Sequence, residues 1–199
     1  MNTQLLTKRY MSFILAAGLV CLAFAFYYLP YQKLDYNFLI IFIFSIGFGS
    51  RITIQIPRFK SYFSFSDTFI FLALLLYGAE VAVALAAFEA FISSWKFCNK
   101  KITVFFNASG MALSTMSLVA MLSLFGLGSE NILQGKGENI NDFLIALSVM
   151  ALTQFTANTA IASVYGALKS EKPIWETWKT QYICTFLTYS FGAAAAGIL

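Results

Sequence analysis

Histidine is absent from the 199 residues, which removes the commonest metal ligand and the commonest general base. Metal and catalytic-triad chemistry are therefore not expected, and neither a cofactor nor an enzymatic activity is predicted. Cysteine is scarce as well: Cys21, Cys98 and Cys184 lie in separate segments without a CxxC spacing. That pattern indicates neither a disulfide framework nor a zinc site, and the three read as packing or lipid-facing residues. Charge is the third shortage, at 11% of the chain against 59% hydrophobic and 18% aromatic residues, with a mean hydropathy of +0.74. Such a composition predicts an integral membrane protein. The net charge of +4 does not point to nucleic acid, because the basic residues stand in short loops between apolar segments.

The stretch 64–107 organises the rest. Two apolar legs, 64–77 and 79–95, meet at Tyr77-Gly78-Ala79-Glu80. Ser64 and Asp67 have the spacing of a capping box and predict a helix start at Ser64; Gly78 ends that helix. The legs are about 21 and about 25 Å long at a helical rise of about 1.5 Å per residue, short of a hydrocarbon core of about 30 Å. The hairpin therefore either crosses a thinned bilayer or is re-entrant inside the other helices. Arg51, Arg58 and Lys60 before it and Lys96, Lys100 and Lys101 after it put its two ends on the cytoplasmic side.

In chain order, a polar start carrying Lys8 and Arg9 precedes a first span over 12–29. Ala23 and Ala25 could mark a signal-peptide cleavage site, but Phe26, Tyr27, Tyr28 and Pro30 read as an aromatic belt ending a helix. A second span covers 36–50. The run Arg51-Ile-Thr-Ile-Gln-Ile-Pro57 alternates with the period of an extended segment, and Pro57 stops any helix. A fifth span follows the hairpin at 102–127, a hydrophilic loop at 128–142, a sixth span at 143–168 and a last one at 180–199. Trp175 and Trp178 suit the headgroup level. Of the 13 Lys and Arg, only Lys33 and Lys136 fall outside in an arrangement with the N-terminus inside. The predicted fold class is an all-α membrane bundle of about seven short transmembrane helices, a single domain over 1–199. The chain end, Gly-Ala-rich and without flanking charge, predicts a further span and a soluble output domain after Leu199.

Polar side chains at membrane depth need partners or a cavity. Glu89 lies midway along the second leg and Asn107 early in the fifth span. Gln154 and Asn158, at i and i+4, share a face of the sixth, with Thr159 and Ser163 on an adjacent strip. Glu89, Asn107, Gln154 and Asn158 are the candidate ligand-binding residues. The alternative is separate interhelical hydrogen bonds, each worth about 0.6 kcal/mol. Small-xxx-small pairs, Ala108 with Ala112, Gly110 with Ser114, Ala162 with Gly166 and Thr188 with Gly192 and Ala196, predict close helix packing.

The run FSFSDTFIFLALLLYGAEVAVALAAFEAF, the later ITVFFNASGMALSTMS and the terminal LTYSFGAAAAGIL resemble the multi-span N-terminal region of bacterial HD-GYP and GGDEF signalling proteins for cyclic di-GMP. Ala79 stands where that family has proline. The resemblance implies a sensory or regulatory input module in the bacterial inner membrane; the catalytic motifs are absent from this chain, so no activity carries over. A weaker similarity is to substrate-binding subunits of energy-coupling-factor transporters, which implies capture of a small, vitamin-type solute. The expected partners are the lipid bilayer, a small-molecule ligand and, as an open alternative, a second copy of the chain.

Overall fold

The computed structural model describes residues 3–49, 53–55, 62–64, 66–127, 140–182 and 185–198. Eight α-helices account for most of them: α1 Thr3–Tyr27, α2 Tyr36–Gly49, α3 Ser66–Tyr77, α4 Ala79–Phe97, α5 Lys101–Leu124, α6 Ile140–Ser170, α7 Ile174–Gln181 and α8 Phe186–Ile198. A short antiparallel ribbon, β1 Thr53–Gln55 with β2 Tyr62–Ser64, pairs Ile54 with Phe63 and precedes α3. The alternation at 51–57 thus produces an extended segment where it is described. Pro57, Arg58, Lys60 and most of the hydrophilic loop, Lys136 included, lie outside the described residues.

By length and composition α1, α5 and α6 are able to cross a membrane. α2, α3 and α8 are apolar but short; at 12 residues, α3 extends only about 18 Å. The seven expected spans therefore resolve into a few full-length helices and several partial ones. The broken hairpin forms the centre of the bundle. Val81 through Ala87 are all buried, as are nine residues of α3, so both legs are enclosed between other helices. α1, α2, α5, α6 and α8 surround it, and Phe71, Leu74, Leu118, Met150, Phe155 and Ala193 form one continuous core. Small residues permit the approach. A Cβ built on Gly18 of α1 would overlap Ser109 of α5, and one on Gly197 of α8 would lie 2.5 Å from Leu147 of α6.

Three boundaries differ from expectation. α1 begins at Thr3 rather than Ser12, since its first turns are tied down: the Thr3 hydroxyl donates to Glu171 at 2.6 Å and the Tyr10 hydroxyl to the Ile161 carbonyl at 3.0 Å. α3 begins at Ser66 rather than Ser64, which belongs to β2. The last span, expected over 180–199, is the shorter α8, and the stretch before it, expected as a loop over 169–179, carries a helix of its own. Pro173 starts the amphipathic α7, whose Thr177 is buried, and the Trp178 Nε1–H donates to the Thr159 hydroxyl of α6 at 2.9 Å. Trp178 is thus a packing residue, whereas Trp175 is 69% exposed.

Candidate ligand site in the bundle interior

Because α3 is too short to cross and stands in the middle of the bundle, its first turn is buried: Ser66, Asp67 and Thr68 are all enclosed. The N–H groups of a first helical turn have no intrahelical partners and carry the positive end of the helix dipole. Glu89 comes to this end. It falls one turn after Leu85 and Ala86, which are fully buried, so the period of α4 turns it inward. The Ser66 hydroxyl hydrogen-bonds its carboxyl.

Asp67 joins Glu89 within electrostatic reach, and each is only 6% exposed. Tyr189 of α8, also buried, lies in the field of the two acids. Its phenol oxygen accepts a 2.6 Å hydrogen bond from the Asn158 Nδ2–H of α6, which leaves the phenol O–H as a donor. α8 comes this close because Gly192 faces the start of α3: a Cβ there would lie 3.3 Å from the Asp67 Cβ and from the Thr68 nitrogen. Four elements thus bring an aspartate, a glutamate, a tyrosine and an asparagine into one enclosed region. No Lys or Arg is among the buried described residues.

The four residues proposed from sequence separate into three places. Glu89 belongs to the acidic cluster, with Asn158 at its edge. Asn158 also lines a cavity of about 220 Å³ between α5 and α6, together with Asn107, Phe106, Gly110, Met111 and Ile161. Asn107 otherwise ties α5 to the end of α4, its Nδ2–H donating to the Ser94 hydroxyl at 2.8 Å and to the Cys98 sulfur at 3.9 Å. Glu89 is not among the residues lining that cavity, because it is held by Ser66 at the start of α3. Gln154, fully buried, donates to Thr115 at 3.1 Å and Ser114 at 3.3 Å on α5, and its Oε1 has no partner among the described residues.

Asp67 and Tyr189 escaped the reading of the sequence. Asp67 reads as a capping residue at a membrane surface, and Tyr189 as one more apolar position in the last span. The available signal was length: a leg too short to reach the far side must start inside, and with it the Ser-Asp pair at its head. No family model, curated protein or solved structure matches the chain.

Proposed function

We propose that this chain is a multi-pass module of the bacterial inner membrane that serves as a sensory or regulatory input, binding a small cation in its interior. The observation that carries the reading is the burial of Asp67 and Glu89 together, on adjacent helices and beside Tyr189 and Asn158. A charged side chain at membrane depth costs about 2.5–3.5 kcal/mol on insertion scales and needs a compensating partner. With no buried Lys or Arg among the described residues, a monovalent metal ion or a protonated amine is the complement the pair of carboxylates would take. Asn158 and Tyr189 supply neutral oxygens for it. Such a ligand would draw α3 and α4 together at Asp67 and Glu89 and shift α8 through its Gly192 contact, which suits a regulatory role.

The test is thermal unfolding of the purified chain in detergent against sodium, potassium and a panel of small amines at constant ionic strength. At least one cation is expected to raise the wild-type midpoint by several degrees. Asp67→Asn and Glu89→Gln should each abolish that rise while remaining folded without the ligand. If no cation moves the wild-type midpoint, or the variants respond as the wild type does, the reading fails.

A second reading, a solute-capturing transporter subunit, draws on the cavity lined by Asn107 and Asn158. It predicts that Asn107→Ala, rather than Asp67→Asn, abolishes ligand-dependent stabilisation.

A further inference from the structure

One end of the bundle carries a cleft of about 610 Å³ between α1, α5 and α6, within the range of about 300–1,000 Å³ typical of ligand sites. Three lysines line it: Lys8 from α1, Lys100 at the N-cap of α5 and Lys169 from the last turn of α6. They are remote in sequence, so only the folded bundle collects them. Lys169 is steadied by the Tyr165 ring, with its Nζ 5.9 Å from the ring centroid. One acid, Glu171, borders the same cleft, and its carboxylate accepts the 2.6 Å hydrogen bond from Thr3.

The first turns of α1 and α5 both open onto the cleft, through Thr3, Gln4 and Thr103. The positive dipole ends of two helices therefore add to the lysines in favouring an anion. Thr7 and Ser12 place further hydroxyls on the wall. The remaining wall is apolar, with Met11, Leu15, Ile102 and Leu168 running from the lysines along the helices. A cationic rim above an apolar wall, at the end of the bundle that the positive-inside distribution assigns to the cytoplasm, matches the amphipathic shape of a phospholipid.

We infer that this cleft binds the phosphate of an anionic membrane lipid, with Lys8, Lys100 and Lys169 around the headgroup and the acyl chain against Met11 and Leu15. The same chemistry would accept free phosphate, but the apolar wall favours the lipid. Basic pockets between membrane helices on the cytoplasmic side are suited to such headgroups, each lysine contributing about fivefold in affinity.

The experiment uses the full chain in mixed micelles, with thermal midpoint and native mass spectrometry as readouts. Dioleoyl-phosphatidylglycerol should raise the midpoint and remain bound in the gas phase. Zwitterionic dioleoyl-phosphatidylcholine should do neither, and glycerol phosphate and inorganic phosphate should raise the midpoint far less than the lipid does. The variant K8Q/K100Q/K169Q should bind phosphatidylglycerol roughly a hundredfold more weakly, and each single Lys→Gln variant about fivefold more weakly. The control K33Q/K172Q/K179Q, with the same loss of charge outside the cleft, should bind as the wild type does. Equal stabilisation by inorganic phosphate would overturn the lipid assignment. Equal weakening in the control, or undiminished binding in all three single variants, would overturn the site. The single variants keep the test open should the triple variant fail to fold.

Discussion

Single side chains hold this bundle together at points where charge and backbone meet. Asp35 is the clearest case outside the helices long and apolar enough to cross a membrane. Its Oδ1 accepts the Phe38 N–H at 2.9 Å, capping α2, and also the Tyr77 hydroxyl at 2.7 Å, so one carboxylate joins the start of α2 to the tip of the hairpin. These bonds, Phe38 first and Tyr77 next, favour the charged form and hold the Asp35 pKa below its ordinary 3.8. With the folded value depressed, the stabilisation is fully present above the unfolded pKa and is lost as pH falls through the lower, folded one. We expect the wild-type midpoint to decline on acidification below about pH 4. Asp35→Asn should have a lower midpoint at pH 7 and a flatter acid limb, as read by thermal unfolding from pH 7 to pH 3. An unchanged acid limb in that variant would remove Asp35 from the account. Tyr77 shows why part of this was unreadable: at the Tyr-Gly-Ala-Glu turn it looks like a belt residue, and only the fold brings Asp35, 42 positions away, to its hydroxyl.

At the scale of the element, the hairpin depends on one backbone conformation. Gly78 has φ 98° and ψ −176°, a region essentially confined to glycine because a Cβ would clash with the flanking peptides. There is space for a side chain, since the nearest atom to a Cβ built there is Glu80 Oε2 at 3.7 Å, so the penalty is conformational. Gly78→Ala should cost on the order of 1–3 kcal/mol, measured as a lower unfolding midpoint in detergent without change in helical content. A neutral substitution would mean that the turn relaxes to another geometry. The break was legible from Gly78 between two apolar legs, and so were the helices at 36–50 and 102–127 to within a few residues. The helix α7, in a stretch that reads as a mixed-charge loop over 169–179, was not. The local sequence IWETWKTQYICTFL has no strong break after Pro173, and α7 exists because Trp178 and Thr177 find places against α6.

For the whole molecule, the ends of the helices gather in separate groups. Lys8, Lys100 and Lys169 meet at one end, while Asp35 and Tyr77 meet at another. Gly197, near the close of α8, packs against Leu147 and Phe143 at the start of α6. We expect a single cysteine at Lys101 to be labelled only from the cytoplasm, and one at Glu80, or a reporter fused after Leu199, to report the external side. A cytoplasmic signal from Glu80 would mean that the hairpin does not reach across, and would invert the assignment of the basic cleft. Here the physics acts at the level of composition: lysines and arginines in short loops resist translocation.

The sequence by itself determined the helical class, the apolar length that suits a membrane, the break at Gly78 and the inward placing of Glu89. Each follows from local chemistry: apolar length, helical period, the freedom of glycine and the cost of burying charge. Only the tertiary structure decided what Glu89 meets. Asp67 becomes its neighbour because α3 is too short to begin at a surface, and Tyr189 because Gly192 lets α8 close on that buried start. The three lysines share a cleft for a similar reason, since α1, α5 and α6 bring to one end residues that no stretch of the chain holds together. Contacts of this kind depend on which helices pack side by side, and that choice is made by the fit of small residues such as Gly18, Gly192 and Gly197 across the whole bundle.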